Sequence, residues 1–175
     1  ESLVDVLEEN PKVVLAYGDF NVTDTENCTP KNADIIEKMV YPSYKRGTLL
    51  SSCYPGPMPV WRKSIHDEFG YFNESFVSAG DREFWCRISQ KYPMRHAKKN
   101  VGVYYRNPEG IENRNKSIGI VQQEADHISK RYIKSFQVAW DDFRRIDFHI
   151  EDNFSEIKKA LQQLEGSGGG FHVHL

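Results

Sequence analysis

Two carboxylates, Asp81 and Glu83, stand in the run Ser78-Ala-Gly-Asp-Arg-Glu-Phe-Trp-Cys-Arg87, where a stretch of helical spacing begins. A carboxylate held beside a hydroxyl can accept its proton, the task of a general base. The same position also has a purely structural use, because the helix dipole stabilises negative charge in the first turn. Upstream, Gly56-Pro-Met-Pro-Val-Trp-Arg62 combines backbone-shaping residues with an indole and a guanidinium. Trp61 and Trp85 suit a core as readily as a ligand platform, and Arg62 can anchor a loop as readily as touch a substrate. The three cysteines, Cys28, Cys53 and Cys86, form no CxxC pair. This argues against a zinc site and a disulfide framework, and it fits a reducing compartment. His172 and His174 alternate in the last residues, but two ligands alone make a poor metal site.

The elements that must position these groups follow from spacing and breakers. Ser2–Glu9 reads as a helix with Leu3, Val6 and Leu7 on one face, ended by Pro11. Lys12–Tyr17 is a short apolar run before Gly18, the pattern of a strand buried on both faces, and Phe20 and Val22 extend it or begin another. Residues 23–32 read as a surface loop. Residues 41–59, with four of the chain's prolines and two glycines, form a long loop of the kind that walls a binding site. A short strand over Met58–Arg62, a helix over Lys63–Phe69 stopped by Gly70, a helix over Asp81–Tyr92 and a strand over Val101–Tyr105 follow, the last closed by Asn107-Pro-Glu-Gly110. From Ser117 onward Val121, Ala125, Ile128, Tyr132, Phe136, Ala139 and Phe143 mark one long amphipathic helix, and Phe154, Ile157, Leu161 and Leu164 a second. The two predict a helical hairpin. Gly166-Ser-Gly-Gly-Gly170 is flexible-linker composition.

Three segments, in this order and spacing, resemble the later half of family-2 glycosyltransferases: Trp61-Arg-Lys-Ser64, Phe69-Gly-Tyr-Phe-Asn-Glu-Ser-Phe76 and Gly80-Asp-Arg-Glu-Phe-Trp-Cys-Arg87. The opening helix followed by Val13-Val-Leu-Ala-Tyr-Gly-Asp19 is similar to the stretch just downstream of that family's Asp-x-Asp metal motif. The resemblance implies an α/β fold, a partial GT-A (Rossmann-like) mixed sheet with flanking helices. The acceptor-side half domain would span residues 1–115, with C-terminal helices over 116–165 and a linker tail over 166–175. By position Asp81 matches the family's catalytic base. Gly56, Pro57 and Met58 would line the acceptor side, with Trp61 stacking on a sugar face and Arg62 and Glu83 beside it. The partners implied are a nucleotide-sugar donor and a saccharide acceptor, as in the assembly of cell-surface polysaccharide. A divalent cation, Mg²⁺ or Mn²⁺, is expected in the complete enzyme, with no metal ligand assigned in this chain. The departures are specific. The nucleotide-binding half has no counterpart, and Asp19 and Asp24 lack the Asp-x-Asp spacing. Gly80-Asp81 replaces a common Glu-Asp pair, and Tyr105-Arg-Asn107 stands where some members carry a His ligand. The chain alone is therefore expected to bind donor poorly. The alternative is a non-catalytic assembly module that forms homo-oligomers through the long C-terminal helix.

Bulk properties narrow the classes. In 175 residues, hydrophobic types make up 39% and aromatics 13%, enough for one folded core. The formal charge of −2 and pI near 6.3, with both signs interspersed, argue against nucleic acid. No apolar run approaches the roughly 20 residues of a membrane span. The opening ESLVDVLEEN reads as an acidic helix and not as a signal peptide, so the expected location is cytoplasmic. On that reading the sequons at Asn21, Asn27, Asn73, Asn115 and Asn153 are coincidental.

Overall fold

The computed structural model describes residues 2–136. Helix α1 (Leu3–Glu9) begins with a capping box: the Asp5 N–H donates to the Ser2 hydroxyl at 3.2 Å, and the Ser2 N–H donates to the Asp5 carboxylate. These bonds satisfy two donors that a helix start otherwise leaves open. The apolar face foreseen for this helix, Leu3, Val6 and Leu7, is the face it buries.

Strand β1 (Leu15–Thr23) is the centre of a small mixed sheet. It runs parallel to β4 (Met94–Tyr105) along one edge, from Leu15 opposite Met94 to Thr23 opposite Tyr105. Its other edge is shared by two short antiparallel partners, β3 (Val60–Trp61) at Leu15 and Ala16, and β2 (Ile35–Met39) at Phe20 to Thr23. β1 is buried on both faces, as its continuous apolar run predicts. On one face Ala16 and Val13 pack with α1, Val60, Ala97 and Val101. On the other, Leu15 and Tyr17 join Phe84, Trp85 and Ile88 of α3 (Gly80–Ser89). Gly18 has no room for a larger residue, since a Cβ would stand 2.7 Å from the Lys99 carbonyl oxygen and closer still to the Val101 side chain. The chain is thus layered α/β, helix on sheet on helix.

Several elements depart from the sequence expectation. β4 begins at Met94, seven residues before the expected Val101, because its polar side chains lie beside β1 and the backbone pairing holds them. Lys98, with φ of 51°, marks the irregularity in that pairing. β2 carries no apolar alternation, its residues are largely exposed, and only its pairing to β1 makes it a strand. The Lys63–Phe69 helix shortens to α2 (Ile65–Phe69), still ended at Gly70 with φ of 71°, and the Asp81–Tyr92 helix stops at Ser89. The helix expected from Ser117 begins at Ile120 as α5 (Ile120–Tyr132), and a separate helix not foreseen, α4 (Ile111–Ser117), precedes it; Gly119, with φ of 76°, breaks continuity between the two. Residues Ile128, Tyr132, Ile133 and Phe136 belong to the same core as α3. The rest of that stripe, the 153–164 helix and its hairpin, the glycine linker and the His172/His174 tail lie outside the described residues. Among the described residues no helix is long and apolar enough to cross a membrane.

Candidate functional site

Asp81 is the second residue of α3 and is partly exposed. One carboxylate oxygen accepts from the Arg82 N–H at 2.7 Å, and the other accepts from the Cys53 thiol at 3.4 Å. Cys53 brings the proline- and glycine-rich loop against the carboxylate. That loop is shaped by a 3-10 turn (Arg46–Leu50), where the buried Arg82 guanidinium takes the carbonyls of Leu49, at 2.9 Å, and Leu50. Further along, Gly56, with φ of 61°, lies against Tyr41 and Phe20, and Met58 rests on Gly102 of β4. Gly56, Pro57 and Met58 therefore form a partly exposed rim over β1 and β4, joined through Cys53 to Asp81.

Cys53 feels its carboxylate neighbour. Burial, and then the charge and hydrogen bond of Asp81, push its thiol well above the ordinary range. Since the thiolate is the reactive form, alkylation of Cys53 by iodoacetamide is expected to stay slow through pH 9. Asp81→Asn should advance it toward lower pH. Peptide mapping of the labelled protein checks both, and equal rates in the two proteins would mean that Asp81 does not act on the thiol.

The other expected site residues separate from Asp81 in role. Glu83 is 1% exposed; Arg87 donates to both of its oxygens, at 3.2 and 2.8 Å, and the Tyr132 hydroxyl donates at 2.6 Å. Its carboxylate joins α3 to α5 and presents no surface to an acceptor. Arg62 reaches inward, donating to the carbonyls of Val13, at 3.0 Å, and Leu7, so it anchors β3 to the α1–β1 connection. Trp61 is half-buried: its indole N–H donates to His66 Nε2 at 3.0 Å, and its ring meets Trp85 edge-on at 5.2 Å. His66 in turn bonds the Gly70 carbonyl at 2.9 Å through Nδ1, so Nδ1 carries the proton. It lies between the stacked rings of Phe84 and Tyr71, at 5.1 and 4.7 Å. Arg87 also takes the carbonyls of Phe69 and Tyr71, which fixes this turn and leaves the Tyr71 side 73% exposed.

Two further features carry no local signature in the sequence. His96 of β4, buried, is hydrogen-bonded through Nε2 to the Asp19 carboxylate of β1 at 2.7 Å, and Asp19 also accepts from the Tyr41 N–H at 2.9 Å. Register between parallel strands places this pair together. Glu124 of α5 accepts from the backbone N–H groups of Val77, Ser78 and Ala79, at 2.6, 2.9 and 2.7 Å. Burial pushes the Glu124 carboxyl up, but the three donors outweigh it and leave it below its ordinary value.

Among the described residues no group of three or more His, Cys, Asp or Glu is placed to hold a metal ion. The donor set fits a bound cation poorly, because Asp19 is committed to His96 and Tyr41, and Asp81 to Cys53 and Arg82. No protein-family model matches this chain, and no curated protein matches it.

Proposed function

We propose that the chain is the acceptor-side half of a family-2-type glycosyltransferase with a GT-A fold, and that Asp81 is its general base. The observation that carries the reading is the partly exposed Asp81 carboxylate at the start of α3, flanked through Cys53 by the loop rim of Gly56 to Met58. The doubly covered strand β1 with a parallel neighbour supports the Rossmann-like part. In the reaction, Asp81 removes the proton of an acceptor hydroxyl as its oxygen bonds the anomeric carbon of the donor sugar. The bond from that carbon to the nucleoside diphosphate breaks, and the diphosphate leaves with the electron pair. The divalent cation that the resemblance implies has no ligand set among the described residues, so no step here passes through it. Acceptor contact falls to the Gly56–Met58 rim and the outer side of Trp61, while Glu83 and Arg62 support the frame.

The alternative, an assembly module, needs an uncovered helix stripe. The described part of the stripe is largely covered within the chain, with Ile128, Tyr132 and Phe136 in the core, which favours the transferase reading. Thermal melts distinguish the two. Oligosaccharide acceptors are expected to raise the midpoint without metal, since a ligand that binds the folded state stabilises it by mass action. The shift should vanish in Met58→Arg, which blocks the rim. No shift with any saccharide, together with a midpoint that rises with protein concentration, would sink the transferase reading in favour of assembly.

A further inference from the structure

We propose that Glu124 is the positioning residue for Asp81, holding from α5 the loop that launches α3. The inference rests on Asp81 serving as the base. Helix α3 begins without local help: its N-cap, Ala79, has no side-chain acceptor, and the next residue is Gly80. Ser, Thr, Asp or Asn at that position would accept from the N–H groups of the first turn, and what holds the helix start here is instead the loop just before it. Here one carboxylate, 45 residues further on, gathers the three consecutive N–H groups of Val77, Ser78 and Ala79. Just upstream, Asn73 bonds its own turn, accepting from the Ser75 N–H at 3.0 Å, so the loop is held at both ends.

Glu124 does not act by itself. One and two turns further along α5, Ser129 donates to the Leu50 carbonyl at 2.7 Å and meets the Arg82 guanidinium at 3.3 Å, and Tyr132 bonds Glu83. Arg82 and Glu83 directly follow Asp81. Helix α5 thus grips the chain immediately before and immediately after the base, and Glu124 supplies the grip before it. Rotation of the 77–79 peptides would swing Asp81 relative to Cys53, which faces it from the loop rim.

A displacement of about 1 Å in a catalytic group can cost ~100-fold in rate. Glu124→Ala in the complete transferase is therefore expected to lower kcat about ten- to hundredfold while the acceptor KM changes little. Formate or acetate should restore turnover saturably, because the three vacant N–H groups form an anion-binding nest. Neither the native enzyme nor Asp81→Asn should respond to the added anion. Amide exchange gives a readout apart from catalysis: Val77, Ser78 and Ala79 should exchange slowly in the native chain and faster in Glu124→Gln, with β1 unchanged. Loss of melting temperature with kcat intact and no anion rescue would overturn the proposal and leave the transferase reading standing. Full turnover in Asp81→Asn would instead overturn the transferase reading, whatever Glu124 does. Should Glu124→Ala fail to fold, Glu124→Gln carries the same kinetic test.

Discussion

Asp81→Asn is expected to cut sugar transfer by about 10²–10⁴-fold, the usual contribution of a positioned acid or base, with the fold left intact. The amide keeps an oxygen for the Arg82 N–H and another contact for the Cys53 thiol, so the side chain stays in place. What it loses is the lone pair basicity that takes up the acceptor proton. The stability cost is small because the carboxylate is partly exposed. Its interaction with the helix start is worth about 0.3–1 kcal/mol, and for a domain of this size about 1 kcal/mol moves the melting midpoint by roughly 2–4 °C. Single-turnover transfer and a melting curve on the same preparation make the comparison. Unchanged turnover would reduce Asp81 to a helix-terminal charge.

Glu83→Ala is expected to do the reverse, lowering stability by about 3 kcal/mol. Removing one partner of a buried ion pair costs ~3–5 kcal/mol, and the lower end applies here because the Arg87 side chain is 22% exposed and its charge is partly solvated. The substitution also strands the Tyr132 hydroxyl in the core. Glu83→Gln keeps an acceptor for that hydroxyl and should cost less. Burial, and then the bond and charge of Glu83, raise the Tyr132 hydroxyl above its ordinary 10.0. A raised value means that the folded state holds the proton more tightly, so this stability is complete below pH 10 and is lost as pH rises through the raised value. Urea titrations of both variants at neutral pH, and of Tyr132→Phe across the alkaline limb, measure these effects. A Glu83→Ala protein of native stability with impaired acceptor binding would return Glu83 to the acceptor site.

Asp81 and Glu83 look alike in sequence, two carboxylates in one first turn, and the fold gives them opposite fates. They are two residues apart on a helix, so their side chains point in directions about 200° apart. One faces the loop rim and the other faces α5. Sequence spacing contains that angle but not which side is occupied, because the occupants, Cys53 and Tyr132, lie 28 and 49 residues away. Arg62 and Trp61 show the same limit. Their chemistry permits anchoring or contact, and the neighbouring carbonyls and rings decide.

What the sequence determined by itself was local. The capped first helix, the doubly buried β1, the helix stop at Gly70 and the irregular loop over 41–59 each follow from residues a few positions apart, where propensity and breakers act directly. Only the tertiary structure decided the rest. β2, exposed and without apolar alternation, and the polar early part of β4 are made into strands by a partner, α5 belongs to the core of the α3 layer, and Glu124 holds the loop leading into a helix to which it has no sequence proximity. In each case the stabilising group is distant along the chain. A backbone donor or an apolar face is satisfied by whatever the fold brings against it, and no local pattern records which residue that will be.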